Sequence, residues 1–395
     1  MLRFLTAGES HGPQLTAILE GMVAGLPLRE GDLVADLARR QKGYGSGGRM
    51  QIERDRARIT AGVMNGVTTG GPIALSIENR DWGNWRDRDI EPFTVPRPGH
   101  ADLSGAIKYG YRDLRLSLER ASARETAARV AVGAIGKRLL AEFGIAVGAY
   151  VVMIGGAWAS LSPDPDDQAY LARFEKAEAS DVRCPDENAS EAMRARIKDA
   201  IRDGDTLGGV FEVVALGVPP GLGSHVHFDR RLDGRLMGAV GSIPAIKGVE
   251  IGPAFENAAR QGSEVHDPIT RDEEGSLTRT GNRAGGLEGG ITTGQPVVVR
   301  AAMKPISTTL SPLPTVDLAT GEAAETVYER SDFCAVPRAA VVGEAMVAFV
   351  LADALLEKLG GDSLEELHSR FVALRRSHVD DLPMDNASWR FGFEG

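Results

Sequence analysis

The chain has 395 residues, with 45 Lys plus Arg against 55 Asp plus Glu for a formal net charge of −10, and it is 43% hydrophobic and 25% charged. That is too apolar for a disordered chain, and long enough to bury a sizeable core as one large domain or two or three smaller ones. The negative balance argues against a nucleic-acid or anionic-membrane binder; with only 8 Lys beside 37 Arg, the cations read as specific forks for carboxylate or phosphate.

In chain order, Met1–Thr6 lacks an apolar signal core and leads into Gly8-Glu9-Ser10-His11-Gly12. A strand is expected over Leu15–Val23, a short helix over Asp32–Arg40, and strands over Ile52–Ala61 and Ile73–Ile77. Ser122-Ala123-Arg124-Glu125 has the capping-box spacing before Ala127, Val130, Ala131, Ile135 and Leu139, which predicts a helix starting at Ser122 and stopping at Gly144. Tyr150–Ile154, Val210–Val218 and Pro296–Ala302 read as strands. The Asp-, Glu- and Pro-rich stretch between them reads as a surface excursion with a helix around Ser190–Arg202. Pro337 opens a long helix closed by Gly360-Gly361, and Ser363-Leu364-Glu365-Glu366 caps another. The most apolar run, Ala339–Leu356, is broken by Glu344 and Asp353, so no span of a bilayer is expected and a cytoplasmic location is.

Gly66-Val67-Thr68-Thr69-Gly70-Gly71-Pro72 returns as Gly290-Ile291-Thr292-Thr293-Gly294-Gln295-Pro296. Each copy precedes a strand and, further on, an Ala/Val-rich helix. The order predicts a duplicated α+β unit packed about a pseudo-twofold axis. One domain over 1–395 is expected, with halves near 1–150 and 205–395 and the excursion near 156–204.

Several motifs carry chemistry. Gly43–Gly48 fits G-x-G-x-x-G, but a charged helical segment precedes it and a strand follows, so it reads as a loop and not as a dinucleotide fingerprint. His225, His227 and Asp229 alternate as on one face of a strand, which suits a solvated strand better than a metal site; two distant cysteines, Cys184 and Cys334, are too few for a metal or disulfide framework. His11 and His100 each adjoin glycine, and a loop His beside a carboxylate or Arg can serve as acid or base near neutral pH. Arg120-Ala121-Ser122 at a helix start and Lys304-Pro305-Ile306-Ser307-Thr308 after a strand are candidate anion cradles. With Arg39, Arg40, Arg49, Arg97, Arg124, Arg330 and Arg338 they describe a cationic pocket for a small polyanion, with a phosphorylated cofactor as an added occupant.

Taken together, Gly8–Gly12, Gly43–Met50, Arg97–Asp102, Arg120–Thr126, Ala245–Gly252, Gly285–Gly294, Lys304–Thr308 and Arg330–Asp332 resemble chorismate synthase over nearly the whole chain and in the family's order. The resemblance implies a β-α-β sandwich built from an internally duplicated unit, usually a homotetramer arranged as a dimer of dimers. It implies a 1,4-elimination of phosphate from 5-enolpyruvylshikimate 3-phosphate to give chorismate, the last step of the shikimate pathway to aromatic amino acids. Reduced FMN is required without net redox change. Carried over by position, His11 protonates the reduced flavin, His100 assists the departing phosphate, and Asp332 acts with the flavin as base. FMN contacts fall on Arg120, Ala121, Ser122, Pro244, Ala245, Gly289, Lys304, Pro305, Ile306, Ser307, Thr308 and Arg330. Substrate anions fall to Arg49, Arg124 and Arg338, and NADPH to Arg40. Many members carry an Arg where this chain has Ser46, one guanidinium fewer for a nicotinamide or a substrate anion. No flavin reductase domain is evident, so an external reductase is expected, with NADPH as a source of electrons. The competing readings are an FMN/NADPH-dependent oxidoreductase, with flavin oxidised in step with turnover, and a non-catalytic flavin-binding protein.

Overall fold

The computed structural model describes residues 1–46, 54–163, 165–329, 331–382, 384–389 and 391–392. Its elements, in chain order, are β1 (Arg3–Ala7), β2 (Gln14–Glu20), α1 (Glu30–Gln41), β3 (Ala57–Ala61), β4 (Ile73–Glu78) and α2 (Thr126–Ala141). There follow β5 (Ala146–Ile154), α3 (Asp167–Ala179), α4 (Glu187–Asp203), β6 (Gly209–Leu216), α5 (Leu232–Gly241), β7 (Ile246–Ile251), β8 (Val297–Met303), α6 (Val336–Leu359) and α7 (Leu364–Val372).

Two antiparallel sheets share one topology. The first runs β1-β2-β4-β3, and the second runs β5-β6-β8-β7 with a short strand, Ala157–Trp158, added beyond β5. In each unit a helix, α1 or α5, follows the second strand, and a long apolar helix, α2 or α6, follows the fourth. The long helices lie between the sheets, α2 against β2 and β4, α6 against β5 and β6, and pack on each other. The duplicated α+β sandwich is therefore present. Its second copy begins with β5, near residue 146, so the excursion is inserted inside that copy and does not separate the halves as the sequence reading placed it.

The repeated Gly-x-Thr-Thr-Gly turn shows why the echo survives. Thr68 Oγ1 accepts from the Leu26 amide at 3.0 Å and donates to the Val23 carbonyl at 2.6 Å. Thr292 Oγ1 repeats this with Leu222 at 2.8 Å and Pro219 at 2.7 Å. Both hydroxyls are buried and fully used, which an apolar residue could not match. The turn also needs glycine ahead of it. Gly62 and Gly286 have φ of +84° and +79°, and a methyl there would lie 2.5 and 2.4 Å from the carbonyl oxygens of Pro72 and Pro296.

The helix layer is held by close contact and by charge. A methyl on Gly133 of α2 would sit 2.4 Å from Ala345 Cβ of α6. Gly133→Ala is therefore expected to cost about 1–3 kcal/mol by forcing the helices apart. Gly238→Ala on the open face of α5, where nothing lies within 4 Å, should instead stabilise by roughly 0.5–1 kcal/mol. Denaturant midpoints of the two variants check the pair, and equal shifts would contradict the packing argument.

α6 is long and apolar enough to cross a membrane, yet 89% of its most apolar window is buried inside the fold. Its Glu344 is buried and binds Arg39 of α1 at 2.6 and 2.8 Å and Lys137 of α2. Arg39 also reaches Asp36 at 2.6 Å and Glu178 of α3, and Arg183 joins Glu178 to the Pro337 carbonyl. This network fixes α1, α2, α3 and the start of α6 against one another.

The expected long helix after Pro337 and the Ser363 capping box on α7 are both present. The excursion holds two helices, and α3 covers the outer face of the second sheet through Tyr170, Phe174 and Ala177. Ser122 departs from the expected helix N-cap. A short helix, Arg115–Ala121, precedes it, and Ser122 caps the 3-10 turn Ala123–Glu125 before α2 begins at Thr126. Leu114 and Leu118 pack this short helix on Phe93, so tertiary contact extends helical backbone upstream of the local signal. Residues 225–229 also differ: they form no strand, and Phe228–Arg230 is a 3-10 turn.

Candidate active site

The site forms where the loops after β1, β4 and β8 meet the starts of α2 and α6. His11 sits in the loop between β1 and β2. Its amide donates to Glu119 Oε2 at 2.8 Å, and its ring Nδ1 lies 2.8 Å from Glu119 Oε1. A carboxylate at Nδ1 places a proton there and orients the ring. The ring also packs on Trp85, tilted by 36° with centroids 4.1 Å apart. Burial pulls Glu119 upward, but its bonds and charge interaction with His11 outweigh this and hold its carboxyl below the usual value.

The second histidine is held the same way. His100 Nδ1 lies 2.5 Å from Asp102 Oδ1. Arg97 clamps that carboxylate with Nε–Oδ2 of 2.8 Å and Nη2–Oδ1 of 3.0 Å. The 3.0 Å approach of Arg97 Nη2 to His100 Nδ1 follows from both groups donating to the same oxygen. Asp102 is fully buried; burial opposes its ionisation, yet the His100 and Arg97 bonds hold it well below the usual carboxylate range. Arg97 Nη1 reaches Thr308 Oγ1 at 3.3 Å, which ties this loop to the Lys304 turn.

That turn gathers several of the expected cofactor residues. The Lys304 amide donates to the Ala245 carbonyl at 2.9 Å, and Thr206 Oγ1 donates to the Ile306 carbonyl at 2.7 Å. Ala245, next to Pro244, has φ of +67°, a left-handed conformation that costs an alanine energy and marks a constrained backbone. A methyl at Gly99 would lie 3.5 Å from Lys304 Nζ and 3.6 Å from Ser307 Cβ, so the His100 loop abuts the turn. Lys304 Nζ donates to the Pro305 carbonyl at 3.3 Å, and no described carboxylate pairs with it. Burial and then the Lys247 charge lower its pKa.

The guanidinium cluster lies between these loops. Arg124 Nη1 meets Asp55 Oδ1 at 2.5 Å, and its Nε meets Asn79 Oδ1 at 2.8 Å. The Asn79 amide donates to the carbonyls of Glu9 and Gly12 at 3.1 and 2.8 Å, joining this cluster to the His11 loop. Arg40 is buried and spends Nε on Thr126 Oγ1, Nη1 on Asp55 and Nη2 on the Ala123 carbonyl. Burial lowers its pKa to about 10, the Asp55 charge opposes this, and Arg124 and Arg338 repel it. Arg338 Nη1 meets Asp332 at 2.5 Å, while its Nε and Nη2 are buried without a partner. Those two nitrogens form one edge of the fork, a bidentate seat for a carboxylate or phosphate.

Ser122 Oγ lies 3.0 Å from Ser10 Oγ, and Arg120 Nη2 donates to the Thr6 carbonyl and hydroxyl at 2.9 Å each. Thus Arg120, Ala121 and Ser122 flank the His11 loop. Gly289 lies apart from these contacts, in the hairpin linking Leu287–Glu288 to Ile291–Thr292, beside His225. Arg49 and Arg330 lie outside the described residues, as does Gly47–Met50 of the Gly-rich loop. Asp55, Asn79, Glu119 and Trp85 were missed by the sequence reading. Glu119, adjacent to Arg120 in a motif already singled out, is the one with a local signal.

A concavity of about 930 Å3 lies elsewhere, between α3 and α4. Several of its polar groups are already engaged: Asp166 and Asp186 cap the two helices, Arg194 pairs with Asp181, and Arg173 binds the Tyr150 hydroxyl and the Ser162 carbonyl. Unspent donors distinguish the Arg338 region. Residues 225–229 are largely exposed, with His227 Nδ1 2.7 Å from Asp229 Oδ1, and no group of three potential metal ligands occurs among the described residues.

The chain as a whole is similar to known proteins. The family model described as chorismate synthase matches residues 2–356. A chorismate synthase of Aquifex aeolicus (strain VF5) is 57% identical over 383 residues, covering 94% of this chain and 96% of that protein. One from Desulforudis audaxviator (strain MP104C) is 55% identical over 390 residues, covering 96% and 99%. A solved structure titled "Crystal Structure of Chorismate Synthase" superposes with a TM-score of 0.78 at 50% identity, covering 94% of this chain and 96% of that one. The chain belongs to the chorismate synthase family, the carbon–oxygen lyases that make chorismate from 5-enolpyruvylshikimate 3-phosphate with loss of phosphate.

Proposed function

We propose that the site carries out this elimination with reduced FMN, His11 and His100 moving protons and Asp332 taking the ring proton. The observation that carries the reading is the junction of the two carboxylate-held histidines with the Lys304 turn and the unpartnered fork edge of Arg338. The family uses reduced flavin, and this chain fits a flavin phosphate. Lys304 offers an ammonium with no described counter-ion, and Ser307, Thr308 and Ser122 add hydroxyls around it and the neighbouring loop. Arg120, Ala121, Pro244, Ala245, Pro305, Ile306, Gly289 and Arg330 complete the proposed cofactor set. When bound, reduced FMN supplies transient electron density and ends the cycle still reduced.

The chain's own groups do the rest. Arg338, Arg124 and Arg49 hold substrate anions, with Arg338 offering its free edge. The carbon–oxygen bond to phosphate breaks with the electron pair leaving on phosphate. His100 gives its Nε2 proton to that group, or shares it, while Asp102 keeps Nδ1 oriented and the imidazolium stabilised. Asp332 accepts the ring proton, so a second ring double bond forms and no net oxidation occurs. His11, in its imidazolium form, would supply a proton to the reduced cofactor, with Glu119 holding Nδ1. Arg40 shapes the pocket by fixing Asp55, and with Ser46 it bears on any NADPH contact. An external flavin reductase or NADPH supplies the reduced flavin to a cytoplasmic enzyme. A homotetramer fits the outer face of the first sheet, where Leu5 and Ile18 are paired and exposed while α3 covers the second sheet.

The test is equilibrium FMN binding. Lys304→Ala should weaken FMN by about tenfold or more, the scale of a charge-assisted contact, while His11→Ala changes it little. Unchanged FMN affinity in Lys304→Ala contradicts the cofactor placement.

A further inference from the structure

Arg115 belongs to none of the groups assigned above. It stands at the start of the short helix Arg115–Ala121, with its guanidinium 5.6 Å from the centre of the Trp85 ring against which His11 packs. Its Nη1 is 3.8 Å from Glu119 Oε1, the oxygen that holds His11, and its Nη2 is 3.9 Å from Glu329 Oε1. Both separations are ion-pair distances, too long for hydrogen bonds. Its Nε and Nη1 are buried with no hydrogen-bond partner, and among the described residues only Arg115 and Arg338 have buried side-chain polar atoms left so.

Burying guanidinium donors without acceptors is costly, and native folds seldom leave them so unless something else completes them. Glu119 and Glu329 balance the charge at a distance but leave the N–H groups unspent. The substrate brings a phosphate and two carboxylates. In the reading above, His100 meets the departing phosphate and the Arg338 edge takes a carboxylate, supported by Arg124 and Arg49. Arg115 lies on the His11 side, with donors for a third. We propose that Arg115 is a further substrate-binding residue, an unspent N–H of its guanidinium donating to a carboxylate of the substrate next to His11. The inference rests on that reading of the site, and a binding measurement separates the two.

The test is calorimetric titration of the full-length protein with three probes: 5-enolpyruvylshikimate 3-phosphate, inorganic phosphate and oxidised FMN. Arg115→Gln should weaken the substrate by about tenfold or more, as expected for losing charge-assisted bonds. Phosphate and FMN should change less than about twofold, since neither carries a carboxylate. Arg115→Lys, which keeps charge but loses the planar fork, should fall between and guards against misfolding of the glutamine variant. An unchanged substrate affinity in Arg115→Gln overturns the proposal, and so does equal loosening of all three probes or a loss confined to FMN. Normal turnover of His11→Ala and His100→Ala would instead defeat the catalytic reading and leave the Arg115 titrations standing.

Discussion

His11→Ala and His100→Ala are each expected to lower anaerobic turnover by about a hundredfold or more, the usual scale of a positioned acid–base group. The expectation follows from how the rings are held. In each, a carboxylate takes Nδ1, Glu119 at 2.8 Å and Asp102 at 2.5 Å. A surface histidine has no need of such a partner, and here both carboxylates are anchored in turn. Glu119 Oε2 accepts from the His11 amide, and Asp102 takes three bonds from Arg97. The rings are thus oriented and their tautomers set before any ligand arrives, which spares reorganisation during reaction. FMN affinity should change by less than about threefold, because neither ring is placed on the Lys304 turn as an anion ligand. Steady-state kinetics with added reduced FMN check this, and near-normal turnover in both variants would remove the assigned roles.

The second large effect is on stability. Glu344→Ala should cost about 3–5 kcal/mol, because it strands Arg39 and Lys137 without their buried counter-charge. Glu344 lies on α6 with 1% of its surface exposed and touches charges from α1 and α2. Burial pushes its pKa up, but Lys137 and Arg39 more than offset this and hold it at about 2, against an ordinary 4.5. A carboxylate with a depressed folded pKa adds stability that is complete above the unfolded value and lost as the pH falls through the folded one. The contribution here is roughly 3 kcal/mol, present above pH 4.5 and lost progressively toward pH 2. Guanidinium unfolding between pH 7 and pH 3 should show the wild type losing stability while Glu344→Ala loses less. Parallel losses in the two proteins would place the acid sensitivity elsewhere.

The legible parts of the fold were those with local causes. The Thr68 and Thr292 turns are visible because a buried hydroxyl and a left-handed glycine are chemically irreplaceable there. The Ser363 cap and the Pro337 start of α6 are visible because helix ends have fixed requirements. The start of the second half at β5 was hidden because α3 and α4 are inserted between its first two strands. The site divides in the same way. His11, His100 and Lys304 stand in glycine- or proline-marked loops that chain order alone exposes. Asp55 and Asn79 carry no such mark. They act only because the sheet brings the end of β4 and the segment before β3 to Arg124, a consequence of topology that no short window contains. Arg115 was passed over for a related reason, since its meaning lies in two nitrogens left without acceptors.

The reaction proposed for this site is an elimination assisted by reduced FMN and free of net redox change. The most direct test mixes the protein anaerobically with chemically reduced FMN and 5-enolpyruvylshikimate 3-phosphate, and follows phosphate, chorismate absorbance and flavin absorbance together. Phosphate and chorismate should appear in equal amounts, with the flavin still reduced at the end. Flavin oxidation in step with product, or tight FMN binding with no product, would contradict it.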